Sequence, residues 1–336
     1  MKEKIVRILL IGFGNVGSGT REVIERKKEK IYKKYGIFLK IVGIGNKNGL
    51  IINENGLTTK EIEAFKRGER IDEKDTLKII KSLNYEVLVE ATPTNIENGE
   101  PGLSHIISAL ETGKNVVTSN KGPIALAYKK LMKLAKEKQK KLKFGATVGG
   151  ALPIISLAKN ELQEREIISI KGILNGTSNY ILTKMTKERL SLEQALKKAQ
   201  QMGIAETDPS KDIDGIDTAI KLVILANAVF GICATLKDVK IKGIREITSE
   251  FLRLAEKSGY AVKLIGKVNK DGLLKVEPQL IPKNDPLNVD DTLNVVKIKT
   301  ELADEITILG KGAGPIETAS AVLSDIVGIY KNYDFS

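Results

Sequence analysis

The chain has 336 residues, of which 42% are hydrophobic, enough for a large buried core and for two domains of ordinary size. It carries 54 basic and 42 acidic side chains, which gives a net charge of +12. With one cysteine (Cys233) and one histidine (His105), the sequence excludes an internal disulfide and argues against a zinc site, which takes about three or four ligands.

The first part of the chain alternates strands with helices. Apolar runs predict strands over 6–11, 40–44, 87–90, 115–118 and 143–146, and a helix follows the first strand to about residue 31. This alternation predicts a parallel sheet with helices on both faces, and ligands at the carboxyl ends of its strands. We therefore predict a Rossmann-type domain over residues 1–146.

The second part has a different pattern, with a strand over 167–174 and three helices between about 177 and 229. Further strands are predicted over 260–268, 273–281, 294–300 and 305–309, the first two joined by the turn 269–272. These strands predict a mixed sheet in a second α/β domain over residues 147–310. A last amphipathic helix, within 311–336, is expected to complete the Rossmann domain.

Neither His105 nor Cys233 lies in a setting typical of catalysis. His105 lies at the start of an amphipathic helix pattern, and Cys233 lies in an apolar run, which predicts a structural imidazole and an inert thiol. Proton chemistry would then fall to Lys, Asp, Glu or Tyr. The lone cysteine and the strand-like first residues, without an apolar signal segment, indicate a cytoplasmic protein. The apolar run 222–233 is shorter than the roughly 20 residues of a membrane span, so no membrane is expected.

The positive charge is distributed along helices. Over 127–143, Leu131, Leu134 and Ala135 form an apolar stripe and lysines occupy the remaining positions, which is typical of a solvated helix face. Aromatic residues make up 4% of the chain and tryptophan is absent. We therefore expect no nucleic-acid partner. The lysine- and glutamate-rich composition is typical of thermophilic proteins instead.

Gly12-x-Gly14-x-x-Gly17 follows the first strand and opens a helix. The three glycines allow a tight turn, close approach of a pyrophosphate and close helix–strand packing, so the loop predicts dinucleotide binding. The second strand ends at Gly45-Asn46-Lys47, where a carboxylate commonly binds the ribose 2′-hydroxyl. A cation at Lys47 favours NADP over NAD, although this side chain could simply face solvent, and the loop alone does not exclude FAD.

Two lysines are candidates for chemistry. Lys121 follows a strand, so it either lines a ligand site or belongs to a capped loop before the next helix. The segment 205–221 holds five carboxylates and continues into an apolar helix. Asp217 and Lys221, four residues apart, share a face of that buried helix, where a lysine requires a partner and its pKa falls toward the range of proton transfer. Tyr180 and Lys184 form Tyr-x-x-x-Lys, which we interpret as coincidence, because the glycine spacing does not fit a short-chain dehydrogenase.

With these residues in place, the chain resembles homoserine dehydrogenase over nearly its whole length. The matching stretches are residues 12–17, 90–94, 116–123, 146–154, 171–182 and 206–221. The resemblance is to the short form, without the regulatory module that some relatives append. It implies reversible hydride transfer between L-homoserine and L-aspartate 4-semialdehyde, in threonine, methionine and isoleucine biosynthesis, with NADP or NAD as cofactor.

The resemblance also implies roles for individual residues. Lys221 would exchange the hydroxyl proton, with Lys121 beside the nicotinamide. Glu206 would hold the substrate ammonium, Asp217 and Asp212 would orient Lys221 and substrate, and Gly176 and Thr177 would contact substrate. The implied cofactor positions are Phe13, Asn15, Val16, Thr92, Lys121 and Gly312. A sodium ion would bind the main-chain carbonyls of Gly145, Val148, Gly150 and Leu152. A homodimer through the second sheet is implied as well.

Other functions compete with this one. An aspartate- or saccharopine-type amino-acid oxidoreductase shares the Rossmann half, and a nucleotide-sensing DNA-binding regulator would use the positive charge. Aspartate-semialdehyde dehydrogenase needs a nucleophilic cysteine, and Cys233 in its apolar run does not qualify. The sequence does not decide between NAD and NADP, whether sodium binds, or whether threonine inhibits.

Overall fold

The computed structural model describes residues 3–331. The chain divides into two compact units, one made of Met1–Thr147 with Gly314–Ser336, the other of Val148–Ala313. Each is built around its own six-stranded sheet. Within residues 3–331, no helix is long and apolar enough to cross a membrane.

The sheet of the first unit has the strand order β3-β2-β1-β4-β5-β6. Its strands are β1 (Lys4–Ile11), β2 (Ile37–Asn46), β3 (Gly49–Ile52), β4 (Val87–Glu90), β5 (Asn115–Thr118) and β6 (Leu142–Lys143). All neighbours pair in parallel except β2 and β3, which form an antiparallel hairpin. The prediction of a parallel sheet is confirmed, and β4 and β5 have the predicted bounds. The strand predicted over 143–146 is wrong at its end, because residues 145–147 form a 3₁₀ turn.

Within residues 3–331, six α-helices belong to this unit. They are α1 (Asn15–Tyr35), α2 (Thr59–Lys66), α3 (Thr76–Ser82), α4 (Gly102–Glu111), α5 (Lys121–Glu137) and α12 (Pro315–Tyr330). Helix α12 packs against α1, and its Val322 and Ile326 are fully buried in the core of the unit. The approach is close, since a Cβ on Gly19 would lie 2.7 Å from the carbonyl oxygen of Pro315. The helical pattern over 127–143 was too long, because α5 ends at Glu137 and β6 follows.

The sheet of the second unit has the order β12-β11-β7-β9-β10-β8. Its strands are β7 (Ile167–Ile173), β8 (Lys240–Ile241), β9 (Tyr260–Asn269), β10 (Leu274–Pro282), β11 (Leu293–Thr300) and β12 (Glu305–Lys311). Only β8 and β10 pair in parallel, so the predicted mixed sheet is confirmed. Its helices are α6 (Ile154–Ser156), α7 (Gly176–Lys187), α8 (Leu192–Gln201), α9 (Ser210–Ile213), α10 (Ile216–Leu225) and α11 (Ser249–Lys257).

Two features of this unit differ from what the sequence pattern suggests. The region predicted as three helices contains four, because the short α9 forms within the acidic segment, where Asp208 accepts a hydrogen bond from the backbone N–H of Ser210. The thiol of Cys233 is exposed. Helix α10 continues as a π-helical turn to Phe230, Gly231 adopts a φ of +67°, and Cys233 itself has a φ of +60°, so the apolar run turns outward at its end.

One face of this sheet carries a row of lysines. Lys297, Lys171, Lys267 and Lys275 lie directly opposite one another on β11, β7, β9 and β10. The two outer lysines form ion pairs, Lys297 with Glu305 at 2.6 Å and Lys275 with Glu277 at 2.7 Å. Among residues 3–331, the inner two, Lys171 and Lys267, form no ion pair. Like charges opposite each other on neighbouring strands are destabilising.

Candidate active site

The glycine loop connects the carboxyl end of β1 to α1. Gly12 has a φ of +98°, and a Cβ there would lie 2.3 Å from the backbone of Ala91. A Cβ on Gly17 would lie 2.2 Å from the carbonyl oxygen of Gly12, whereas Gly14 faces open space with no atom within 4 Å. The first turn of α1 has neither a side-chain cap nor an acidic residue, so its N–H groups and partial positive charge remain available. These features fit a pyrophosphate.

The other predicted cofactor residues of the first unit lie near this edge. Phe13 is half-buried and packs on Phe65, with ring centroids 6.4 Å apart, while Asn15 is exposed in the first turn of α1 and Val16 is half-buried. Lys47 lies in the turn between β2 and β3 and is exposed. Its position follows from the hairpin, which the sequence did not predict.

A buried carboxylate organises the ends of β4 and β5. Glu90 is fully buried, and its side chain accepts hydrogen bonds from the backbone N–H of Thr92 (3.0 Å), the Thr92 hydroxyl and the Thr118 hydroxyl (3.1 Å). The Asn120 amide donates to the Thr92 hydroxyl at 3.1 Å, and its oxygen caps α5 by accepting from the N–H of Gly122. Lys121, the first residue of α5, is thereby fixed at this edge.

Glu90 and Asn120 were not identified as functional from the sequence. The signal for Asn120 was present, because an Asn between a strand and a helix is typical of a helix N-cap. His105 is buried, with its Nδ1 3.8 Å from Glu90, inside α4, in agreement with a structural role.

The second unit holds the predicted lysine–aspartate pair. Lys221 and Asp217 are 8% and 9% exposed on α10, and Lys221 Nζ lies 2.6 Å from Asp217 Oδ2. The same Nζ donates to the carbonyl oxygen of Leu174 at 2.5 Å. The predicted pairing on one buried helix face is therefore present. A buried ammonium requires polar partners, and here a carboxylate and a carbonyl are among them.

Asn175 connects this pair to the rest of the acidic segment. Its Nδ2 donates to Asp212 Oδ1 at 2.7 Å and to Asp217 Oδ2 at 3.0 Å, and its Oδ1 caps α7 by accepting from the N–H of Ser178. Asn175 is buried, and the sequence reasoning missed it although it too precedes a helix. Asp212, Asp217 and Lys221 are thus brought together through one amide.

Other predicted substrate residues lie around this cluster in different ways. Gly176 and Thr177 directly follow Asn175, and a Cβ on Gly176 would lie 2.7 Å from the carbonyl oxygen of Thr292. The Thr177 hydroxyl donates to the carbonyl of Ile204 at 3.2 Å. Glu206 is exposed, and within residues 3–331 its carboxylate forms no hydrogen bond or ion pair. The structure therefore does not join Glu206 to the Lys221 cluster by direct contact.

The residues predicted for sodium belong to both units. Gly145 is in the first, where its N–H donates to Asp325 of α12 at 2.8 Å, and burial raises the pKa of that carboxyl to about 6. Val148, Gly150 and Leu152 are in the second, where the Leu152 carbonyl accepts from the N–H of Ile154. A carbonyl has a second lone pair, so this bond leaves room for a cation. No group of three His, Cys, Asp or Glu side chains within residues 3–331 is placed to hold a metal.

Gly312, a predicted cofactor position, lies just after β12 in the second unit. A Cβ on it would lie 1.9 Å from the side chain of Asn294, so only glycine fits there. The Asn294 side chain is buried, and neither its Oδ1 nor its Nδ2 has a hydrogen-bond partner among residues 3–331.

A dinucleotide loop at the end of β1 and a buried lysine–carboxylate pair define a nicotinamide-dependent dehydrogenase. Comparison with protein families supports this class of enzyme and identifies a family within it. The family model of the homoserine dehydrogenase NAD-binding domain matches residues 12–145, and the homoserine dehydrogenase model matches residues 153–327.

Individual relatives agree. A homoserine dehydrogenase from Methanocaldococcus jannaschii is 50% identical over 97% of this chain and 98% of its own length. An NAD(+)-dependent homoserine dehydrogenase from Pseudomonas canavaninivorans is 36% identical over 97% of this chain and 96% of its own. The structure of a hyperthermophilic archaeal homoserine dehydrogenase in complex with NADPH matches with a TM-score of 0.83 at 30% identity, covering 97% of each chain.

The chain belongs to the homoserine dehydrogenase family. It is an NAD(P)-dependent oxidoreductase of amino-acid biosynthesis that interconverts homoserine and aspartate 4-semialdehyde.

Proposed function

We propose that Lys221 exchanges the proton of the substrate hydroxyl. The observation that supports this role is the buried ion pair, in which Nζ is 2.6 Å from Asp217 and the side chain is 8% exposed. In the oxidation of homoserine, neutral Nζ takes the hydroxyl proton while the hydride leaves the carbon atom that bears this hydroxyl. In the reduction of the semialdehyde, the charged Nζ returns a proton to the carbonyl oxygen. Asp217 orients the amine and stabilises its charged form.

The acidic residues around this pair bind the amino-acid part of the substrate. Glu206 attracts the substrate ammonium, and its lack of an ion partner within the described chain supports this role, because the carboxylate keeps its full capacity for a cation. Asp212, Gly176 and Thr177 contact substrate next to the Asn175 turn. Proton exchange therefore takes place at the buried Lys221 cluster, and ammonium binding at the solvent-accessible Glu206.

The first unit holds the cofactor. The nicotinamide accepts or supplies the hydride when it is bound. Gly12, Gly14 and Gly17 form the pyrophosphate loop, Phe13, Asn15 and Val16 continue it, and Thr92 and Lys121 lie at the ends of β4 and β5. Gly312 contributes from the second unit. The exposed cation Lys47 supports a preference for NADP.

The experiment that tests this function follows the absorbance of reduced nicotinamide after L-homoserine is added, at high temperature, for wild type and Lys221→Ala. Wild type is expected to reduce NADP, and the variant to lose at least about a hundredfold in kcat, the range that general acid–base groups contribute. Lys211→Ala, an exposed lysine of the same segment, is the matched control. Full activity in Lys221→Ala would move the proton chemistry to Lys121 or elsewhere.

Further proposals concern the assembly. The two compact units correspond to a nucleotide-binding and a substrate-binding domain, with the last helix completing the first. A sodium ion would bind the carbonyls of Gly145, Val148, Gly150 and Leu152. The melting temperature would then be higher in sodium chloride than in tetramethylammonium chloride. A homodimer through the second sheet, which the likeness to the family supports, would have twice the chain mass of 36.7 kDa by light scattering.

A further inference from the structure

Asn175 uses every hydrogen-bonding group of its side chain at the junction of three elements. Its Oδ1 accepts from the N–H of Ser178 at 2.8 Å, so this atom is the oxygen, because a nitrogen could not accept there. Its Nδ2 then faces two carboxylates, Asp212 on α9 at 2.7 Å and Asp217 on α10 at 3.0 Å. The residue is 5% exposed, so water does not replace these bonds easily.

The two carboxylates repel each other, and the amide is the donor that they share. Asp217 Oδ2 accepts from Asn175 and is also the atom 2.6 Å from Lys221 Nζ. The second partner of Nζ is the carbonyl of Leu174, the residue immediately before Asn175. The dipeptide Leu174-Asn175 therefore contacts both the lysine amine and the carboxylate that pairs with it.

We propose that Asn175 is a positioning residue that sets the geometry and the protonation of Lys221 by holding Asp212 and Asp217 apart on a neutral donor. This inference rests on the proposed role of Lys221 and deepens it. The cluster includes the charged groups of Asp212 from α9 and of Asp217 and Lys221 from α10, together with the Leu174 carbonyl and the Asn175 amide. The ion pair of Asp214 with Arg245 lies at the end of α9, and Glu206 precedes it.

The sign of the effect follows from the charges. Replacing the amide by a carboxyl group places a third acid next to Asp212 and Asp217, so the three groups keep a shared proton until the pH rises. When that proton leaves, the cluster holds one more negative charge beside Lys221 than in wild type, and a nearby opposite charge favours the charged form of an amine. Homoserine oxidation requires the neutral amine, so its activity must move to higher pH. A neutral residue that keeps the cap but lacks the N–H donors leaves the two aspartates without their shared donor and the lysine less well oriented.

The test compares wild type, Asn175→Asp and Asn175→Ser in the pH dependence of kcat/KM for homoserine oxidation. Asp and Ser are both good N-cap residues, so α7 keeps its cap in both variants. Melting temperature and NADPH affinity, measured by fluorescence, are the controls for folding and for the cofactor half. We expect kcat/KM to fall by about tenfold to a hundredfold in both variants. We expect the alkaline shift, about one pH unit or more, in Asn175→Asp only.

A loss of activity with an unmoved pH profile in Asn175→Asp would overturn the inference, since a purely structural role lowers activity equally at every pH. Wild-type kcat/KM in Asn175→Ser would overturn it as well, and this measurement decides the matter if Asn175→Asp does not fold. Failure of the proposed function is distinguishable, because it appears as full activity in Lys221→Ala. Loss of activity in Lys221→Ala together with an unmoved profile in Asn175→Asp refutes only the role of Asn175.

Discussion

The carboxyl of Asp325 makes the stability of the first unit depend on pH in an unusual direction. Burial raises its pKa from 3.8 to about 6, against the opposing effects of the Gly145 N–H and of Lys143. A raised pKa means that the folded chain binds the proton more tightly than the unfolded chain does. The charged carboxylate therefore lowers the free energy of unfolding. This destabilisation is absent below about pH 4 and complete above about pH 6.

The size of this cost can be worked out from the shift. Each pKa unit corresponds to about 1.4 kcal/mol, so the rise from 3.8 to about 6 corresponds to about 3 kcal/mol. Since the side chain is half-buried and solvent screens part of its charge, we expect about 1–3 kcal/mol. Asp325→Asn removes the charge and keeps an oxygen that can accept from the Gly145 N–H.

The assay is urea unfolding of wild type and Asp325→Asn at pH 4.5, 6 and 8. The variant is expected to be the more stable protein at pH 8, by about 1–3 kcal/mol, and to lose that advantage as the pH falls toward 4. Glu29→Gln, which removes an exposed charge from α1 of the same unit, is the control. A variant that is less stable than wild type at pH 8, or a difference that does not change with pH, would refute the reasoning.

Two other predictions concern lysines. In the lysine row of the second sheet, Lys267→Glu places a negative charge opposite Lys171 and Lys275. The free energy of unfolding should therefore rise by about 0.5–1 kcal/mol at low salt and by less in 0.5 M NaCl. An equal gain at both salt concentrations would contradict the electrostatic explanation. In the β2–β3 turn, Lys47→Asp should lower the ratio of kcat/KM for NADP to kcat/KM for NAD by about tenfold. This factor corresponds to about 1.4 kcal/mol for a lost charge-assisted contact with the 2′-phosphate. An unchanged ratio would mean that Lys47 faces solvent only.

The parts of the fold that the sequence predicted are those set by local patterns. Strands β4 and β5 are four-residue segments around short apolar runs between helices, and their bounds could be read directly. The Asp217–Lys221 pair followed from helical spacing alone. Strand β3 was missed because it has only four residues, begins at Gly49 directly after a turn and pairs antiparallel at the edge of the sheet.

The roles of Asn175 and Glu90 could not be predicted from the sequence, because they depend on contacts between residues far apart along the chain. Asn175 precedes its acidic partner Asp217 by 42 positions, and Glu90 receives the Thr118 hydroxyl from 28 positions away. Spacing does not encode either contact. The exposure of Cys233 could not be predicted for a different reason, since a left-handed glycine after the π-helical turn reverses the direction of an apolar run.

The packing of α12 on α1 has a consequence for the order of events during synthesis. Helix α1 is made early, yet the buried side chains that cover it, Val322 and Ile326, come from the last helix of the unit. The second unit, residues 148–313, separates the two parts of the first. A ribosome translates this stretch in about ten to thirty seconds. During that interval the nascent nucleotide-binding half has an uncovered apolar helix face. Its final core can close only after the second unit has left the exit tunnel, so the unit that is translated first is completed last.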